Sequence, residues 1–139
     1  MKKRFKNYQV LEHRSDLKIK VWGKTKEELF QNAFLAMFES ANYQKEKGKS
    51  VNRKIKILSY DLASLLIDFL NELLYLSETK KEVYEKITFE KFKDNFLEGV
   101  LRGKKLKRMG VQIKGASYHN LQILKNKKGP WETIVLFDL

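Results

Sequence analysis

The chain of 139 residues contains no cysteine and two histidines, His13 and His119, which excludes disulfides, thiolate zinc sites, cysteine nucleophiles and a histidine-rich metal centre. A hydrophobic fraction of 42% and a single proline predict one folded domain with a genuine core instead of a disordered chain. The net charge of +12 favours a polyanionic partner, although a general lysine-rich composition explains it equally well because the basic residues are scattered.

The first two predicted strands are Tyr8 to Leu11 and Leu17 to Trp22. In the second strand apolar residues alternate with polar ones, which predicts one buried and one wet face. Between the strands lies the segment His13-Arg14-Ser15-Asp16, and loops in such places often carry functional groups. Asp16 is therefore a candidate metal ligand or catalytic carboxylate; the alternative is a turn aspartate that bonds its own backbone. His13 has the same two interpretations.

A capping-box pattern, Thr25-Lys26-Glu27-Glu28, predicts the start of the first helix. Thr25 would accept a hydrogen bond from the first amides of the helix, and Glu28 would return the bond. We expect this helix to run to about Asn42, followed by a polar loop over residues 45–49 and a strand from Val51 to Leu58.

The second helix, predicted over residues 61–76, is the most distinctive segment of the chain. Most of its surface is apolar, which predicts a central packing element held between a sheet and the other helix. Its few polar side chains fall at helical spacing on one narrow stripe. They are Ser64, Asp68, Asn71 and Glu72.

After this helix the apolar pattern changes to a period of two, which is typical of strands. Short connections favour antiparallel pairing, and residues 118–120 and 127–130 resemble turns. The fold class we expect is α+β, a single domain with a mostly antiparallel mixed sheet and two α-helices packed on one face. The later strands are predicted over Val83 to Phe92, Phe96 to Leu101, Val111 to Ser117, Leu121 to Leu124 and Thr133 to Phe137.

Candidate functional groups also occur near the end of the sequence. The run Thr133 to Phe137 leads to Asp138 and then to Leu139, which would place a carboxylate beside a terminal carboxylate in a basic protein. Such a pair predicts a site for a hard cation. Lys114 would meet an acidic partner group or remain a solvated lysine, and His119 would orient a carboxylate or serve as a turn residue. Phosphate loops, Ser-His-Asp spacing and the HExxH motif do not occur in the sequence.

Five segments in this order resemble the archease family over nearly the whole chain. The segment from Tyr8 to Asp16 is similar to the family's opening strand and His-Thr-Ala-Asp turn, and residues 21–30 and 61–76 are similar to its two helical regions. Lys114-Gly115-Ala116-Ser117-Tyr118-His119 resembles its Lys-Ala-x-Thr-Tyr-His strand. The last segment, Phe137-Asp138-Leu139, resembles its terminal Asp-Ile.

The resemblance implies one archease-like domain over residues 1–139, a cytoplasmic accessory protein that is not itself an enzyme. Archeases assist the RtcB-type GTP-dependent RNA ligase in tRNA splicing and RNA repair, by promoting guanylylation of the ligase and multiple turnover. The implied calcium ligands are Asp16, Asp138 and a main-chain or terminal oxygen of Leu139. Lys114 would contact the partner or a phosphate, with His13 and His119 in support.

The resemblance also implies the kind of partner. We expect the RNA ligase itself, tRNA or other RNA indirectly, no membrane, and a monomer or weak oligomer. Arg14-Ser15 replaces the family's Thr-Ala, and a guanidinium at Arg14 would compete with a cation for Asp16. Calcium binding is therefore expected to be weak or absent. Two alternatives remain open, namely a basic RNA-binding module independent of the ligase and a metal-dependent hydrolase that uses Asp16 and Asp138.

Overall fold

A computed structural model describes residues 7–13, 15–117 and 121–139, and for Glu12 and His13 it describes the backbone alone. Within these residues nine strands and two helices follow one another along the chain. They are β1 (Tyr8–His13), β2 (Asp16–Gly23), α1 (Lys26–Ser40), β3 (Gln44–Lys45), β4 (Val51–Leu58), α2 (Leu62–Lys80), β5 (Glu82–Lys93), β6 (Phe96–Arg108), β7 (Gly115–Ser117), β8 (Leu124–Lys125) and β9 (Trp131–Asp138).

The first of two sheets joins the beginning of the chain to its end. Its strand order is β1-β2-β9-β7, and β8 also pairs with β9. All pairings are antiparallel, and the register of β2 with β9 runs without a break from Asp16 opposite Asp138 to Gly23 opposite Trp131. Alternate residues of these two central strands are buried, so the sheet has one face in the core and one face toward solvent.

The second sheet is built around β6, the longest strand. It pairs in antiparallel fashion with β4 and with β5 over most of its length and with β3 near its end. At Gly103 of β6, an added Cβ atom would collide with the carbonyl oxygen of Val83 on β5. A glycine is therefore required at this position of the strand.

Both helices begin at residues that the sequence patterns identify. The Thr25 hydroxyl accepts the Glu28 N–H at 3.0 Å, and the Asp61 carboxylate accepts the Ser64 N–H at 2.8 Å. The return bond of the predicted capping box is shifted by one residue, because Glu28 accepts the N–H of Lys24 at 3.2 Å. Each cap satisfies an amide that has no partner inside its helix, which fixes the helix start.

The core lies between the two helices and the inner faces of both sheets. Phe69 on α2 packs against Phe30 and Phe34 on α1, with ring centroids 5.5 and 6.0 Å apart. All three side chains are fully buried. Burial of an aromatic side chain of this kind stabilises the fold by about 1.5–3 kcal/mol relative to an exposed position, so this cluster is a main link between the helices. In the described part of the chain, neither helix combines the length and apolarity needed to cross a membrane.

The predicted α+β class, with two helices and antiparallel strands, is confirmed, and the structure adds that the strands form two sheets. Some predicted strand boundaries were wrong. The strand predicted to end at Leu101 continues to Arg108, and of the strand predicted from Val111 to Ser117 only Gly115–Ser117 pairs as a strand. The N–H groups of Gly110 and Val111 instead bond the Ala41 carbonyl after α1, which removes them from strand pairing. The predicted turn at residues 118–120 lies outside the described residues.

Candidate functional site

Asp16 and Asp138 are cross-strand neighbours at one end of the first sheet. Asp16 begins β2, Asp138 ends β9, and the two residues face each other in the antiparallel register. Residues directly opposite in such a ladder project to the same face, with Cβ atoms about 4.5–5.5 Å apart. The neighbours Leu17 and Phe137 are buried in the core, so the two aspartates project from the outer face. The structure therefore brings together two acidic residues that are 122 positions apart in the sequence.

The strand β7 flanks Asp138 on its other side. Gly115 is opposite Asp138, and the N–H of Lys114 donates to the carbonyl oxygen of Asp138 at 2.8 Å. The Ser117 hydroxyl donates to Asp138 Oδ2 at 3.1 Å. Asp138 thus has a fixed backbone and one bound carboxylate oxygen, while its side chain remains exposed.

The two carboxylates have little charge compensation. Within the described residues, the ion pairs shorter than 4.0 Å involve neither Asp16 nor Asp138. Like charges directly opposite each other in a ladder are destabilising. This end of the sheet therefore favours a bound positive group. Arg14, which the sequence identifies as a competitor for Asp16, lies outside the described residues.

Two other predicted site residues adjoin the aspartates. The Lys114 side chain is exposed immediately before β7, and Leu139 is partly buried against the core next to Asp138. His13 ends β1, where its backbone is paired with Leu17, and its side chain is outside the described part of the structure. His119 also lies outside the described residues, so the supporting roles of both histidines stay predictions.

Asn71 on α2 has a role that the sequence reasoning missed. Its side-chain amide donates to the Ala116 carbonyl at 3.1 Å and accepts the Ala116 N–H at 2.7 Å. Asn71 therefore satisfies the open edge of β7 as another strand would, and it ties the segment that carries Lys114 and Ser117 to the central helix. The sequence feature that indicates such a role is a side-chain amide on the narrow polar stripe of an otherwise apolar helix.

The donor set limits what this end of the sheet can bind. The described part of the chain contains no cluster of three or more His, Asp or Glu side chains that could hold a metal ion. A cation between Asp16 and Asp138 would need further oxygens from the main chain, from water or from a partner. A cleft of about 620 Å³ lies at the other end of β2, beside Trp22 and Gly23, and is separate from the aspartates.

The family model of the archease protein family matches residues 8–139. The chain belongs to the archease family. Protein archease from Methanosarcina barkeri is 34% identical over 142 residues, which cover 96% of this chain and 97% of that protein. Protein archease from Pyrococcus furiosus is 29% identical over 141 residues, which cover 96% of this chain and 99% of that protein.

Two solved structures share the archease fold of this chain. The crystal structure of an archease from Thermotoga maritima, described as a possible chaperone, has a TM-score of 0.67 and 22% identity over 100% of this chain and 98% of that one. The solution structure of protein 1598 from Methanobacterium thermoautotrophicum has a TM-score of 0.67 and 27% identity over 97% and 100% of the two chains. The similarity covers both sheets and both helices, since almost all of each chain is aligned.

Proposed function

We propose that the protein is an accessory factor of an RtcB-type GTP-dependent RNA ligase, which promotes guanylylation of the ligase and multiple turnover in tRNA splicing and RNA repair. Membership of the archease family supports an accessory role. The observation that carries the proposal is the position of Asp16 opposite Asp138, with Lys114 beside them. These are the residues that the family resemblance implies, and the fold holds them at one end of one sheet.

The chemistry of this group suits contact with another protein's active centre. The backbone of Asp138 is held from both sides by β2 and β7, so its carboxylate is presented from a rigid support. Lys114, whose backbone N–H is bound to the Asp138 carbonyl and whose side chain is exposed, supplies a positive group on the adjoining segment. A partner that binds GTP and metal ions offers both phosphates and cations, and this mixed pair of charges complements them.

Calcium fits the donors that are present. Ca²⁺ prefers carboxylate and carbonyl oxygens, and Asp16, Asp138 and a main-chain oxygen of Leu139 would hold it. When bound, the ion supplies the positive charge that offsets the repulsion between the two carboxylates. Because calcium takes about 6–8 oxygens, the remaining positions are left to water or to groups of the partner. This incomplete set favours a docking role over ion storage, and it also argues against a self-sufficient hydrolase.

The test is a guanylylation assay with the ligase, GTP and cleaved RNA, in the presence and absence of this protein. We expect Asp16→Asn, Asp138→Asn and Lys114→Ala each to reduce stimulation by at least about 10-fold, because each removes a charge that the partner would contact. Glu46→Gln is the matched control, since Glu46 is an exposed acid outside this group. Full stimulation by both aspartate variants, with unchanged melting temperatures, would refute the proposal.

A further inference from the structure

The outer face of the second sheet carries an excess of positive charge. The register places side chains of β4, β6 and β5 in rows across this face, and most apolar residues of these strands turn toward the helices, with Leu58, Phe96 and Val100 as exceptions on the outer face. We call these outward cations the basic face. Its members are Lys54, Lys56, Lys86, Lys91, Lys93, Arg102 and Lys104.

One bulge in β5 creates part of this alignment. Strict alternation would put Lys86 on the opposite side from Lys91 and Lys93, because their numbers differ in parity. The register shifts between Phe89 and Lys91, so Lys86 pairs with Arg102 while Lys91 pairs with Glu98, and all of them lie on the outer face. The bulge therefore gathers lysines that a regular strand would divide between solvent and core.

The cations of the basic face have little internal compensation. Glu98 is the carboxylate that pairs within the rows, and Glu90, the extra residue of the bulge, is exposed beside Lys91, so seven cations stand against two acids and the local excess is five positive charges. None of the seven cations belongs to an ion pair within the described residues. Lys104 donates to the Gly48 carbonyl at 2.6 Å, which leaves its charge unneutralised. Packed cations without counter-charges attract a polyanion.

One end of the basic face adds exposed apolar and aromatic groups. Leu58 is 73% exposed and lies opposite Phe96, and Tyr60, two residues further on, is 91% exposed. The ammonium of Lys56 is 5.9 Å from the centre of the Phe96 ring. Aromatic side chains beside a cationic surface are the combination that binds unpaired bases by stacking while lysines track the phosphates. An anionic membrane or an acidic protein would use the charge but would give the fully exposed Tyr60 no stacking partner.

We propose that the basic face binds single-stranded nucleic acid, with phosphates on the lysines of β4 and β5 and an unpaired base stacked on Tyr60. The binding is independent of sequence, since it uses charge and stacking only. It does not require the ligase or the Asp16–Asp138 group, which lies on the other sheet. The inference therefore stands or falls separately from the proposed function.

The first test measures fluorescence anisotropy of a labelled oligouridylate of about 16 nucleotides with the protein alone. We expect salt-dependent binding by the native chain. The variant Lys54→Gln/Lys56→Gln/Lys91→Gln should bind about 10-fold or more weakly at low salt, with a slope of log K against log salt shallower by about 2. The matched control, Lys24→Gln/Lys80→Gln/Lys127→Gln, removes three exposed lysines outside the basic face and should bind like the native chain.

The second test separates stacking from charge. Tyr60→Ala should weaken binding of the oligouridylate about 10-fold, whereas Tyr60→Phe should retain it, because stacking on an aromatic ring is worth about 1–3 kcal/mol per base. A duplex of equal length should not distinguish the two variants, since its bases are already paired.

Four results would overturn the proposal. The first is failure of the native chain to bind the oligouridylate at low salt, and the second is an equal loss of affinity in the two triple-lysine variants. The third is unchanged affinity of Tyr60→Ala for the oligouridylate. The fourth is lysine-dependent binding to phosphatidylserine vesicles without any binding to the oligouridylate. Circular dichroism melting of each variant checks the fold, and we expect no change because the substituted side chains are exposed.

Discussion

Asp16 and Asp138 occupy directly opposite positions on β2 and β9, at the end of the ladder that these strands form. The same ladder also contains a contact between opposite charges. That contact joins Lys20 and Glu132 at 3.8 Å, and both side chains are partly exposed. The same pair of strands thus carries one ion pair and one pair of opposed acidic residues. Because like charges directly opposite each other do not stabilise a ladder, the second pair points to a role outside stability.

Replacing Asp138 with Asn should separate the electrostatic cost from the proposed cation. In buffer with chelator, Asp138→Asn should raise the free energy of unfolding by about 0.2–1 kcal/mol, since it removes a like-charge contact while its amide oxygen still accepts from Ser117. Calcium in large excess, which the expected competition from Arg14 makes necessary, should raise the melting temperature of the native chain and not that of the variant. Glu46→Gln is the control for a generic change in charge, and a calcium response retained by Asp138→Asn would contradict the proposed ligand set.

Removing the Asn71 amide should loosen β7 from the helix. Asn71→Ala leaves the Ala116 N–H and carbonyl without their partners, so we expect a loss of about 1–3 kcal/mol in the free energy of unfolding. Amide hydrogen exchange should rise at residues 115–117. Asn52→Ala, an exposed position on β4, is the matched control. Exchange in β7 that equals that of the native chain would refute the positioning role.

The ion pair between Arg53 and Glu82 should be expensive to break from one side. Glu82 is fully buried, and its two oxygens accept from Arg53 Nε at 2.9 Å and Nη2 at 2.6 Å. Arg53→Leu leaves this carboxylate buried without its cation and should cost about 3–5 kcal/mol in chemical denaturation. The double variant Arg53→Leu/Glu82→Gln should recover part of that loss, because the amide is neutral and its oxygen still accepts from Tyr84. A double variant no more stable than Arg53→Leu would contradict this account.

The same ion pair should make stability depend on pH in the acid range. The hydrogen bond from Arg53 holds the pKa of the Glu82 carboxyl below its usual value of 4.5, with a smaller contribution from the Tyr84 hydroxyl. A carboxyl with a lowered folded-state pKa contributes stability above its unfolded pKa and loses it as pH falls through the folded one. We therefore expect the free energy of unfolding to decline below pH 4.5. The decline should be shallower in Glu82→Gln, and equal slopes for the two proteins would show that other groups control it.

The local structure of this protein can be predicted from its amino-acid sequence, because the signals for it are local. Thr25 and Asp61 cap their helices through amides three residues away, and the apolar surface of α2 requires a central position in any fold. The alternation in β2 likewise identifies its buried face. The motifs that resemble the archease family also identify Asp16, Asp138 and Lys114 as candidate site residues, although they do not give the arrangement of these residues in space.

Which distant residues meet is visible in the folded protein alone, since pairing across more than a hundred residues depends on strand register. The β2–β9 register puts Asp16 opposite Asp138, and the amide of Asn71 completes the edge of β7 from another layer. Lysines that are scattered in the sequence converge on one face because three strands and a bulge in β5 bring them together. Periodicity assigns residues to a face of their own strand, whereas neighbours across strands follow from register and bulges.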